Sequence, residues 1–159
     1  MRKVLICLVA LLVTGIACKR SSTYRTGDGS VTVENRGKDA GSMTFTGKDG
    51  QKLTMDFGSG KLPDNYPKDV PVYKDAKVMV SQSVSEKNGR NLVLETNDSL
   101  DKVVDFYKKG LESNGWKTEN TLAMGQMTML TATKENRQVS VQVTDGDNKR
   151  SVMQILSEK

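Results

Sequence analysis

The sequence predicts an α+β fold: one amphipathic helix, at about residues 98–114, packed on an antiparallel sheet in the order ββαβββ(β), with a small β-hairpin segment in front. Three observations predict it. Leu100, Val103, Val104, Tyr107 and Leu111 recur at helical spacing and form one continuous apolar face. Apolar residues on both sides of that stretch alternate with period two. Asp49-Gly50, Asn88-Gly89 and Asp145-Gly146 mark tight turns between the alternating runs, because these pairs tolerate positive φ.

Residues 1–17 read as a signal peptide. Arg2 and Lys3 precede an apolar run from Val4 to Ala17, too short for a membrane span, which needs about 20 apolar residues. Gly15-Ile16-Ala17-Cys18 resembles the lipobox of bacterial lipoproteins, with Gly15 where an aliphatic residue is usual. The resemblance implies cleavage before Cys18 and acylation of Cys18, which becomes the site of lipidation. Several acyl chains, each methylene contributing about 0.8 kcal/mol, would hold the protein to a membrane where one chain would not. An ordinary secretory signal cut near Ala17 is the competing reading, with a secreted or periplasmic soluble product. Lys19 in place of an aspartate after the lipidated cysteine favours the outer membrane, facing the periplasm, by the sorting rule of two-membrane envelopes.

Composition excludes several chemistries. The chain has no histidine, and removal of residues 1–17 takes Cys7 with it and leaves Cys18 as the single cysteine. No internal disulfide, Cys/His zinc site or His-based catalytic pairing can be built from what remains. The net charge of +5 sits at the start: residues 19–61 hold eight basic against five acidic side chains, and residues 62–159 hold fourteen of each. Lys19, Arg20 and Arg25 would lie beside anionic headgroups. A neutral main domain without a basic stripe interleaved with aromatics argues against a nucleic-acid partner.

Residues 18–29 are polar and without apolar periodicity, the pattern of a lipid-anchored tether. Residues 30–58 alternate: Val31 and Val33, then Met43 and Phe45, then Leu53, Met55 and Phe57. They predict a small β segment that docks on the later domain or on a second copy, since an isolated hairpin is marginal in water. Residues 59–75 form a Gly/Pro lead-in that holds all three prolines, a stiff extended stretch. Residues 76–159 form the α+β domain. Two strands meet across Glu86-Lys87-Asn88-Gly89, and Asn97 or Asp98 caps the helix. Gly115 ends it, Trp116 folds back on its face, and strands near 117–123, 127–134, 138–144 and 151–157 follow.

Leu-Pro-x-x-Tyr-Pro-x-Asp-Val-Pro-Val-Tyr at 62–73, with Phe106-Tyr107-Lys108-Lys109-Gly110-Leu111 and Gly115-Trp116, resembles a group of uncharacterised bacterial envelope lipoproteins. These share a P-x-D-V-P-V-Y lead-in and an F-Y-x-x-x-L-x-x-x-G-W helix end. The resemblance supports one helix on a sheet over roughly residues 50–159 and carries no catalytic residue with it.

Candidate sites compete with simpler structural roles. Met124, Met127 and Met129 could offer thioethers to Cu(I), but Met127 and Met129 share a strand face with Thr131 and Thr133 and read as core filling. Asp145, Asp147 and Asn148 suggest a calcium loop, yet Leu156 stands where its bidentate glutamate would be, and a hairpin turn explains them. Asp98, Asp101 and Asp105 suit the first turns of a helix. Tyr66, Tyr73, Tyr107 and Trp116 either line a groove for a partner or staple the lead-in to the domain. The expectation is a non-enzymatic, lipid-anchored envelope protein without metal or cofactor that docks a protein partner. A binding module for a small apolar or lipidic ligand is the alternative.

Overall fold

The structure is a computed structural model that describes residues 20–63, 65–85 and 89–158. The signal segment, Cys18 and most of the Glu86-Lys87-Asn88-Gly89 turn lie outside the described residues. No helix among the described residues is long and apolar enough to cross a membrane.

The strands are β1 (Arg20–Thr26), β2 (Gly29–Asn35), β3 (Gly41–Gly47), β4 (Lys52–Phe57), β5 (Lys77–Val84), β6 (Arg90–Thr96), β7 (Lys117–Met124), β8 (Met127–Lys134), β9 (Arg137–Asp145) and β10 (Arg150–Glu158), with helix α1 (Leu100–Ser113) between β6 and β7. All ten strands form one antiparallel sheet in the order β1-β2-β3-β4-β5-β6-β10-β9-β8-β7. The α+β class holds, and the strand count is corrected. The β segment at 30–58 meets the later domain through strand pairing. It joins edge to edge, because β4 finds an open partner in β5 and pairs Leu53 to Val84 and Phe57 to Val80.

The polar run read as a tether is also a strand from Arg20 onward. β1 pairs with all of β2 across the two residues Gly27 and Asp28, and Thr23 and Thr32 share a hydroxyl hydrogen bond of 3.0 Å. Alternation in β1 is hidden from a hydropathy reading because Ser22 and Tyr24 share one face and Ser21, Thr23 and Arg25 the other.

Helix α1 begins one or two residues later than its sequence suggests. Ser99 is the N-cap, its side chain accepting from the Lys102 amide at 3.4 Å, while Asp98 is used elsewhere. At the other end Gly115 adopts φ +77° and the Trp116 amide returns to the Leu111 carbonyl at 3.0 Å. The helix lies over β7, β8 and β9. Val103, Tyr107 and Leu111 meet a sheet face built from ladder rows such as Leu92, Gln154, Val141 and Leu130, all fully buried or nearly so.

A bulge in β5 decides which way the rest of the sheet presents its apolar side. Val78 pairs with Leu94 on the helix side, the register shifts at Met79, and Val80 pairs with Val93 on the opposite side. Ser81 and Ser83 therefore face the helix side, and Val80, Gln82 and Val84 face away. Through the β4 pairing, Leu53, Met55 and Phe57, and with them Met43, Phe45, Val31 and Val33, also project away from the helix. The helix side of β1–β4 is correspondingly polar: Thr44 lies 3.5 Å from Thr54, and Arg36 bonds Glu34, Asp56 and Ser42.

Candidate functional site

Two regions carry the candidate residues: the lead-in strapped across the helix side, and the uncovered face opposite. The lead-in is anchored at three points. At its middle, Asp69 accepts from Arg137 through Nη1 at 3.0 Å and Nη2 at 2.7 Å, and from Lys134 Nζ at 2.8 Å. The Asp69 carbonyl accepts from Trp116 Nε1 at 2.8 Å, and the Arg137 guanidinium lies 5.0 Å over the Trp116 ring. The Arg137 hydrogen bonds, opposed by partial burial and helped by Lys134, hold the Asp69 carboxyl well below the usual carboxylate range.

The second anchor is the buried amide of Gln154. Its neighbours in the sheet's core row, Leu92 and Val141, are apolar, so the lead-in and the helix satisfy it: Tyr66 donates its hydroxyl to Oε1 at 2.5 Å, Nε2 donates to the Pro71 carbonyl at 2.9 Å, and the Tyr107 hydroxyl also bonds this side chain. Burial pushes the Tyr66 phenol above its ordinary value, as it does that of Tyr107. The third anchor is Tyr73, whose amide donates to the Tyr107 hydroxyl at 3.2 Å and whose own hydroxyl donates to Asp98 at 2.6 Å. Its ring meets Phe106 edge-on at 5.0 Å.

Tyr66, Tyr73, Tyr107 and Trp116 therefore all hold the lead-in down, and three of them are almost fully buried. Beside the strap an open groove of 460 Å³ runs between Leu62, Tyr66, Pro71, Phe106 and Gly110. Gly110 allows this close approach, since a Cβ there would lie 2.9 Å from Pro71 Cβ. Of the four aromatics named from sequence, only Tyr66 reaches the groove wall.

The uncovered face was not legible as a site because its residues come from all ten strands. One ladder row runs Phe57, Val80, Val93, Met153, Gln142, Met129 and Leu122. A second runs Val33, Met43, Met55, Gln82, Asn91 and Ile155, and a third Tyr24, Val31, Phe45, Leu53 and Val84. Among the described residues, every large exposed hydrophobic side chain except Leu62 projects from this face, with Ile155 43% and Met124 49% exposed. Six of the chain's eight methionines lie on it: Met43, Met55, Met124, Met127, Met129 and Met153.

That placement corrects the expectation that Met127 and Met129 fill the core. Thr128, Leu130 and Ala132 take the core side because they pair with Val143, Val141 and Val139. Asp145 forms an ion pair with Arg150 at 2.7 Å across the last hairpin. Asp98 accepts from Lys102 and Tyr73 and is held below its ordinary value by both, while Asp101 and Asp105 are exposed on the helix. The structure does not gather these carboxylates into one site.

A family model described as START domain-like matches residues 77–150, just under half of the chain, from the start of β5 to the start of β10. A mostly antiparallel sheet with one helix is consistent with that similarity. No curated protein matches the chain. No solved structure matches it either.

Proposed function

We propose that this chain is a non-enzymatic, lipid-anchored module of a bacterial cell envelope that docks a protein partner through the uncovered sheet face. The observation that carries the reading is the concentration of exposed hydrophobic side chains and methionines on that face. Monomeric proteins rarely expose apolar patches larger than a few hundred Å² without using them, and methionine adapts to a partner's shape. The lipobox-like Gly15-Ile16-Ala17-Cys18 and the lead-in resemblance to envelope lipoproteins support the anchor at Cys18, with the membrane as the first partner. With β1 beginning at Arg20, little chain separates Cys18 from the sheet, so the module would stand close to the bilayer it is anchored in.

A second reading, a module for a small apolar or lipidic ligand, is favoured by the START domain-like similarity and by the groove between the lead-in and α1. Native mass spectrometry of the full protein, extracted gently from its host's membranes, separates the two. The docking reading predicts a mature mass starting at Cys18 with acyl additions and a co-purifying protein. A bound small molecule in place of a protein selects the second reading, and an unmodified chain found only in soluble fractions removes the anchor.

A further inference from the structure

We infer that the partner on the uncovered face is a second copy of this chain, docked sheet on sheet about a two-fold axis; the inference rests on the docking reading above. Three features select this occupant. The first is area. A ten-stranded sheet with strands about 4.8 Å apart and about 17 Å of strand in the rows offers a face of roughly 700 Å². That is close to the 800 Å² or so that each partner contributes to a stable interface.

The second is charge. The three ladder rows contain no charged side chain, so two identical faces meet without like-charge repulsion, and a charged partner finds nothing on them to pair with. Charges appear at the rim as opposite-sign neighbours: Lys149 donates to Glu95 at 2.6 Å, and Lys117 lies 3.3 Å from Glu119. The rows' polar members are uncharged, with Asn91 donating to Gln82 at 3.4 Å, and charge confined to the rim is common in protein interfaces.

The third is shape. A sheet this wide carries a large cumulative twist, so a helix or a flat surface touches only part of it. Two aligned sheets pack face to face because both twist in the same sense, and a second copy has the matching twist by construction. A two-fold arrangement sets the same residues on both sides and closes the assembly at two copies.

The test uses full-length chain in its host, with a photo-crosslinking amino acid at Met153 or Phe45 and, as control, at Lys109 on the exposed side of α1. Tagged and untagged copies are expressed together. Self-docking predicts an adduct of twice the chain mass that carries both copies, from Met153 and Phe45 and not from Lys109. An adduct with a different protein overturns self-docking and leaves the docking reading standing. An adduct with a small molecule or lipid, or no adduct from a variant whose thermal unfolding matches that of the native chain, overturns both.

Discussion

Asp69 illustrates how one side chain can fix a long stretch of extended chain. Its carboxylate joins Arg137 and Lys134, and its carbonyl caps the Trp116 indole, so the lead-in is held to both sides of the helix end. Because its pKa is lower folded than unfolded, the stabilisation is complete above about pH 5 and is lost progressively as pH falls from the ordinary 3.8 toward the much lower folded value. Thermal unfolding followed from pH 7 to pH 2 is expected to show Asp69→Asn less stable than the native chain at neutral pH and converging with it in acid. Loss of the charge-assisted bonds should cost about 2 kcal/mol at pH 7. Tyr73→Ala removes a buried ring as well as a hydrogen bond and should cost about 3–5 kcal/mol. Equal melting temperatures for that variant and the native chain would argue against the strap.

At the scale of elements, the helix was legible from its periodicity and its closing Gly115-Trp116, but its cap was not. Asn97, Asp98 and Ser99 are all capable caps, and only packing decides: Asp98 is drawn to the Tyr73 hydroxyl, which leaves Ser99. Ser99→Ala should therefore destabilise by about 1 kcal/mol in chemical denaturation, and Asn97→Ala by much less. The hairpins at Asp49-Gly50 and Asp145-Gly146 follow from their turn residues. Strand β1 does not, since a polar strand with one tyrosine carries no apolar alternation to read. The β5 bulge is likewise invisible in Val78-Met79-Val80, where all three residues suit a strand and nothing local says which face each takes. Yet that one extra residue sets the side on which half the sheet shows its apolar rows. The stapling aromatics were recognised by type and position, whereas their partners Gln154 and Asp69 became evident only when the lead-in crossed the sheet.

For the molecule as a whole, the two surfaces of one sheet differ in what covers them. The helix side of β5, β6, β8, β9 and β10 is closed by α1 and the strap, with most of the facing side chains fully buried or nearly so, while the edge strand β7 stays exposed. The other side exposes large hydrophobic side chains from β1, β3, β4, β7 and β10, while β9 presents only polar ones there. Placing a charge there should leave folding nearly intact, because surface substitutions shift stability by about 0.5 kcal/mol, while abolishing docking. Phe45→Glu combined with Met153→Glu is thus expected to retain the native melting temperature within a few degrees and to lose the crosslinked dimer. The methionines supply a direct reporter of whether the face is covered in place. Peroxide oxidation of Met129 and Met153, read by peptide mass spectrometry, should be several-fold slower in native membranes than in dilute purified protein. Equal rates in the two samples would contradict the account, since the face would then be bare where the protein works.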